Sequence, residues 1–360
     1  MKIAMLISGG VDSSVALMRL VEQGYDVTAF YLKIWLEDEL SFLGSCPWEE
    51  DLSYVRAVCE KAKVPLKIIS MQQAYWDKVV SYTIAEVKAG RTPNPDMMCN
   101  LRVKFGAFYD AVGKEFDKIA TGHYAQIARE GDKVILKMSP DAIKDQTYFL
   151  AQMKPDQLKR VMFPIGDLAK EDVRKLAHKY DLPNKDRKDS QGICFLGKIK
   201  FADFVRYHLG EKTGDIIEYE TGKKLGEHNG FWFYTIGQRQ GIGLSGGPWY
   251  VVAKDPGKNQ VLISRDYYAA DKKRNIVYVK DFNWLQGTKP EVNKFNVKLR
   301  HGPVMTPGEL HYTDNGGIIT LAEDDQGIAP GQFAVFYDGG VCCGSALICN
   351  KIKNLALDYE

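Results

Sequence analysis

Two patterns in this chain hold residues of types that do chemistry. The first is Ser8-Gly9-Gly10-Val11-Asp12-Ser13-Ser14. Its two glycines let the backbone pass close to a phosphate without a Cβ in the way, and the hydroxyls and N–H groups of a helix start bind anions. That chemistry suits a pyrophosphate. Asp12 is out of place in a bare anion site, because its carboxylate repels phosphate unless it also holds a magnesium ion or caps the helix. The second pattern is a pair of cysteines: Cys99 in Asn94-Pro95-Asp96-Met97-Met98-Cys99-Asn100, and Cys194 in Asp189-Ser190-Gln191-Gly192-Ile193-Cys194-Phe195. A thiol near a helix N-terminus has its thiolate stabilised by the helix dipole, so Cys99, just ahead of a helix expected from Leu101, suits a nucleophile. The bland alternative is that both are small apolar residues in a core. Their proline, glycine and polar neighbours speak against burial. Cys46, Cys59, Cys342, Cys343 and Cys349 lack such settings and read as structural.

The elements that must position these groups follow from periodicity. Short apolar runs predict strands over 2–7, 26–34, 66–70 and 117–120, and helical spacing marks 12–23, 50–62, 75–89 and 101–113. Such alternation implies a parallel sheet with helices on both faces, whose ligands sit beyond the carboxyl ends of the strands. Helical pattern recurs over 170–180 and 200–209. From Thr213 onward short strands and glycine turns dominate, including a hairpin expected around Asp255-Pro256-Gly257. The expected organisation is α/β: a catalytic domain over 1–200, a small central β-rich domain over 201–273 and a C-terminal β-barrel over 274–360.

Composition narrows the classes. Of 360 residues, 45% are hydrophobic and 26% charged, a globular balance. No run reaches the ~18 uncharged apolar residues of a spanning helix. The first strand begins at Lys2, so the expectation is a chain with no leader, a cytoplasmic location and no membrane partner. Seven cysteines without a CxxC pair exclude a disulfide framework and a zinc ribbon. Net charge is only +2, which excludes a generic polyanion binder. Residues 170–206 nevertheless hold ten Lys or Arg against six Asp or Glu, either a solvated helix face or part of a nucleic-acid footprint.

The glycine loop is neither GxxxxGK[ST] nor GxGxxG. It resembles the SGGxDSS loop of the PP-loop ATP pyrophosphatase superfamily, whose members split ATP between its α and β phosphates and adenylate an oxygen. Together with NPDxxCN, ATGHYA (120–125), KDQTYFL (144–150), DSQGICF (189–195), TIGQRQG (235–241) and GxAPGQ (327–332), it makes the chain resemble bacterial-type tRNA-specific 2-thiouridylases over essentially its full length. The resemblance implies a PP-loop (adenine nucleotide α hydrolase-like) domain ahead of the two β domains. It also implies an ATP-dependent replacement of the 2-oxygen of the wobble uridine by sulfur, with Mg2+ accompanying ATP. ATP would adenylate the oxygen, Cys194 would carry a persulfide, and Cys99 would act as nucleophile, leaving a Cys99–Cys194 disulfide for reduction. Implied partners are tRNAs of the Lys, Glu and Gln type and a sulfur donor such as a cysteine desulfurase or a sulfur-relay protein.

Residue by residue, the resemblance places ATP on Ser8, Gly9, Gly10, Val11, Asp12, Ser13, Ser14, Leu32 and Gly122. It places the target base on Asn94, Pro95 and Asp96, and tRNA on Lys144, Asp145, Gln146, Arg300 and His301. Asp96 is either a general acid or base or a capping carboxylate. His301 departs from the aromatic that this family more often shows after the arginine. Phe231, Trp232 and Phe233, beside Gln238 and Arg239, are either core or a stacking platform, with core favoured. Leu36–Trp48 is bulkier and more apolar than the family's loop. The rival readings are a PP-loop amide ligase or synthetase, which needs no cysteine, and a catalytically silent tRNA-binding protein.

Overall fold

The structure, a computed structural model, describes residues 1–34, 48–189, 200–269, 274–325 and 327–350. The first sheet is built from β1 (Lys2–Leu6), β2 (Asp26–Lys33), β3 (Leu66–Ser70), β4 (Lys118–Ala120) and β7 (Val161–Met162), in the order β3-β2-β1-β4-β7. All its pairings are parallel. After Lys2 every residue of β1 is buried, as expected for a strand covered on both faces. One face is covered by α1 (Val11–Glu22), by α2 (Trp48–Ala62), whose Leu52, Val55, Cys59 and Ala62 form one apolar stripe, and by α6 (Lys170–Lys179). The other face carries α3, which runs without a break through Gln72–Tyr75, Trp76–Val80 and Ser81–Lys88, and α4, which runs through Pro95–Cys99 into the π-wound Asn100–Ala107.

Periodicity does not mark every element of this domain, and β7 is not among the expected strands. Residues beyond β4 form a hairpin, β5 (Ala125–Glu130) and β6 (Lys133–Met138), turning at Gly131, whose φ is 59°. A short helix, α5 (Thr147–Leu150), follows it.

After α7 (Phe201–Leu209) comes a four-stranded sheet of β8 (Gly214–Glu218), β9 (Lys224–His228), β10 (Tyr250–Asp255) and β11 (Gln260–Ser264). The hairpin expected around Pro256 is the β10–β11 pair. Phe231 is buried in this domain's core with Ile216, Trp249 and Val251, and Trp232 packs against it, the reading the sequence favoured.

The last six strands close a barrel: β12 (Ile276–Trp284), β13 (Lys294–Lys298), β14 (Thr306–Thr313), β15 (Gly316–Leu321), β16 (Phe333–Asp338) and β17 (Val341–Cys349). Closure is the β12–β17 pairing. β17 also pairs with β6, so the hairpin of the first domain continues the barrel's sheet.

A buried ion pair fastens the same junction. Lys298 Nζ lies 3.0 Å from Asp145 Oδ2, and neither side chain touches solvent. Asp145 also accepts the Ser139 N–H at 3.1 Å and the Thr147 hydroxyl at 2.8 Å. Among the described residues no helix is long and apolar enough to cross a membrane.

Lys298→Met should leave the Asp145 carboxylate buried and uncompensated, lowering stability by about 3–5 kcal/mol in urea denaturation. The double variant Asp145→Asn/Lys298→Met should recover part of that loss.

Candidate active site

The glycine loop leaves the carboxyl end of β1 and opens α1. Gly9 has φ 79°, and a Cβ there would lie 2.7 Å from the Asp51 carbonyl oxygen, so the position admits only glycine. The loop is held in shape from outside. Asn184 Nδ2 donates to Gly9 O at 2.8 Å and to Ser14 Oγ at 2.9 Å, and Arg187 Nη1 donates to Gly9 O at 3.0 Å while pairing with Asp51. Inside it, Ser13 and Ser14 hydroxyls both donate to Gly10 O at 3.0 Å, and the Ser8 N–H donates to Ser13 Oγ at 3.3 Å. Gly10 is the N-cap of α1 and offers no side-chain cap, so the first-turn N–H groups, beginning at Val11, are presented to a ligand. Gly122, just after β4, lies against that turn: a Cβ there would stand 2.7 Å from Ser13 N. Leu32 sits at the carboxyl end of β2, paired with Ile69. The nine expected nucleotide residues thus gather at one edge of the parallel sheet, where such sheets bind ligands.

Asp12 caps nothing; its Oδ1 accepts the Tyr124 hydroxyl at 2.9 Å and the Lys170 ammonium at 2.6 Å. Burial, and then the Asp12 carboxylate, raise the Tyr124 phenol far above its ordinary range, so it stays a proton donor. Among the described residues no cluster of three His, Cys, Asp or Glu stands ready for a metal, so a magnesium ion here would be held by Asp12 together with the phosphates of ATP rather than by side chains alone. Lys170 reaches on to Asp189 Oδ1 at 2.7 Å, and Asp189 is also held by Lys144 at 2.8 Å and Arg174 at 2.7 Å. Partial burial opposes ionisation of Asp189, but hydrogen bonds from Lys144 and Lys170 outweigh it and bring its carboxyl to about 2.

Cys99 lies differently from its expectation. The helix begins at Pro95 rather than Leu101, so Cys99 is inside its second turn, and the residue is only 2% exposed. Its polar neighbours are largely paired inside the protein, although the Asn100 Oδ1 is buried without a hydrogen-bond partner among the described residues. Asn94 caps α4 by accepting the Met97 N–H at 3.1 Å and donates to Gln332 Oε1 at 3.3 Å, while Asn100 Nδ2 donates to Phe149 O at 3.2 Å. Gln332 Nε2 donates in turn to the carbonyls of Thr92 and Pro93, at 3.2 and 2.7 Å. The GxAPGQ segment of the barrel therefore grips the entry to the Cys99 helix. Pro95 is buried and Asp96 half-buried in the first turn.

Cys194 and Cys46 lie outside the described residues, as do most of Leu36–Trp48. Burial pushes the thiols of Cys59 and Cys343 up to about 11 and raises those of Cys342 and Cys349, which suits their structural reading.

The expected RNA contacts separate. Lys144 is partly exposed but paired with Asp189. Asp145 departs from the expectation, since its carboxylate is committed to the buried pair with Lys298 and faces no surface. Gln146 accepts the Tyr124 N–H at 2.9 Å, bracing the chain after Gly122. Arg300 and His301 are exposed at the barrel end, Arg300 paired with Asp325 at 2.8 Å and His301 stacked on Phe149 at 4.7 Å. Burial of its ring lowers the His301 pKa, against the opposing Asp145 carbonyl and Asp96. His123 is buried, hydrogen-bonded to Thr121 Oγ1 at 2.7 Å and kept neutral by burial and then by Lys104.

Sequence reasoning missed Tyr124, Lys170, Asn184, Arg187 and Gln332. The excess of cations over 170–206 was the signal for Lys170 and Arg187, which with Arg174 turn inward to the loop and to Asp189, while Tyr124 and Gln332 lay inside the ATGHYA and GxAPGQ motifs without a role assigned to them.

A glycine-serine loop at the carboxyl edge of a parallel sheet, backed by two β domains, defines a nucleotide-binding α/β enzyme. Comparison with known families agrees part by part: residues 1–198 match the tRNA methyl transferase HUP domain, 202–265 the tRNA methyl transferase PRC-barrel domain, and 274–348 the aminomethyltransferase beta-barrel domain. The tRNA-specific 2-thiouridylase MnmA of Parabacteroides distasonis is 46% identical, covering 98% of this chain and 100% of its own. Its counterpart in Porphyromonas gingivalis (strain ATCC 33277) is also 46% identical, covering 97% and 99%. The chain belongs to the tRNA-specific 2-thiouridylase family.

Gly122→Ala should drive a methyl group into the first turn of α1 and weaken binding of a non-hydrolysable ATP analogue about tenfold or more, the scale of an overpacked contact. Isothermal titration beside a thermal melt checks this.

Proposed function

We propose that this tRNA sulfurtransferase uses ATP to convert the wobble uridine of tRNA to 2-thiouridine. The observation that carries the reading is the tether between the two chemistries. Asp12 of the nucleotide loop and Asp189, which opens the motif bearing Cys194, share the Lys170 ammonium at 2.6 and 2.7 Å.

In this reading the loop amides and serines hold the phosphates of ATP, and the uracil 2-oxygen attacks the α-phosphorus. Pyrophosphate leaves and the poor leaving group becomes AMP. Cys194 carries a persulfide from a cysteine desulfurase or relay protein. The Cys99 thiolate attacks the Cys194 sulfur of that persulfide, releasing hydrosulfide and leaving a Cys99–Cys194 disulfide; direct attack of the persulfide on the activated carbon is the variant of the same scheme. Hydrosulfide adds at the activated carbon, AMP departs, and two external thiols, or one dithiol, supply the two electrons that reopen the disulfide and are themselves oxidised to a disulfide. Asn94 and Pro95 shape the base pocket, with Asp96 as its acid or base, while Lys144, Gln146, Arg300 and His301 meet the RNA, tRNAs of the Lys, Glu and Gln type being the substrates. Magnesium enters with ATP as part of the substrate.

Incubation with ATP, magnesium, unmodified tRNA and a persulfide donor, followed by digestion and mass analysis, should yield 2-thiouridine. Cys99→Ser and Cys194→Ser should each abolish it. Formation of 4-thiouridine or thiolated cytidine, or full ATP turnover by Cys194→Ser, would overturn the reading.

A further inference from the structure

The fate of Asp12 poses a chemical problem that the loop alone does not answer. A carboxylate in the first turn of α1 stands beside the amides that would receive phosphate; it does not cap the helix, and among the described residues it joins no cluster of three His, Cys, Asp or Glu. We propose that Lys170 is a positioning residue of the nucleotide site, neutralising Asp12 so that the loop can accept a polyphosphate. This inference rests on the reading of the loop as an ATP site.

Three observations support it. First, the ammonium is built in rather than draped over the surface. Its side chain is 14% exposed, and its backbone N–H at the start of α6 donates to Asp141 Oδ2 at 3.0 Å. Nζ passes 5.9 Å from the centre of the Tyr124 ring, the residue that also donates to Asp12.

Second, the two carboxylates it bridges differ in what else they have. Asp189 has Lys144 and Arg174 besides Lys170, whereas among the described residues Asp12 is ion-paired with Lys170 alone. Removing the ammonium therefore leaves Asp189 compensated by cations and Asp12 with the neutral Tyr124 hydroxyl but no ion-pair partner among the described residues. Third, the bare charge would lie in the half-buried loop, where repulsion of an incoming phosphate is weakly screened.

The test uses the full chain and equilibrium binding of a non-hydrolysable ATP analogue at fixed magnesium. Lys170→Met keeps the apolar stem and removes the charge. It should weaken binding about tenfold or more, the order expected for one unscreened unit charge near the surface. Adding Asp12→Asn to it should restore affinity to within about threefold of the unaltered protein, because the offending charge is gone. Asp12→Asn alone should tighten binding, because the charge that repels phosphate is removed while the Lys170 ammonium remains.

Normal binding by Lys170→Met would overturn the inference, and so would a double variant as weak as the single one, since Lys170 would then act on the phosphates or the scaffold. Should Lys170→Met fail to fold, Asp12→Asn alone decides, because weakened binding there would show that the carboxylate serves a metal ion. Failure of the unaltered protein to bind the analogue would instead sink the nucleotide reading itself.

Discussion

An ammonium and a carboxylate with no access to water hold this molecule in one piece. Lys298 comes from the last turn of a barrel strand and Asp145 from the segment that follows the β5–β6 hairpin. Two charges taken out of water are expensive unless each finds its partner and the remaining lone pairs are filled. Here Ser139 and Thr147 fill them, and Tyr337 of the barrel closes the network through a 3.0 Å contact with the Thr147 hydroxyl. The pair forms only when barrel and catalytic domain are docked in one register. That register also delivers Gln332 to Asn94, and with it the geometry of the helix that bears Cys99.

The consequence for chemistry is a division of labour. The parallel sheet provides the edge, the loop and the helix start. The barrel supplies no loop residue but fixes where the thiol stands relative to that edge. Cys99 is thus kept from bulk water in the same buried apolar cluster as Met97 and Met98, flanked by Asn94, which donates to Gln332, and Asn100, which donates to the Phe149 carbonyl. A sulfur placed this way is protected from adventitious oxidation, which follows thiolate character and exposure.

The nucleotide loop was legible because its chemistry is local: seven consecutive residues, their glycines, and a helix that starts where the pattern says. Four of the five strands of the parallel sheet were legible for the same reason, most clearly β1, which is covered on both faces and writes a continuous apolar run, whereas the two-residue β7 is too short to carry a pattern. Cys99 was misplaced because asparagine, proline and aspartate read as solvent-facing until their partners are known, and Gln332 lies more than two hundred positions away. The Asp12–Lys170 contact spans 158 positions and the Asp145–Lys298 contact 153, distances over which spacing carries no information. The hairpin over 125–138 was missed because its outer strand, β5, ends in charged residues that face water, and it is β6 that pairs with the barrel.

The shared sheet also limits how the molecule may be cut. β17 gives one part of its length to β12 and another to β6, so hydrogen bonding runs from the barrel into the hairpin without a seam. An isolated N-terminal fragment would keep the nucleotide loop yet expose the open edge of β6, a template for pairing with other chains, and would carry the Asp145 charge without its ammonium. Boundaries drawn along the sequence are therefore not lines along which the chain comes apart: catalytic domain and barrel behave as a single folding unit.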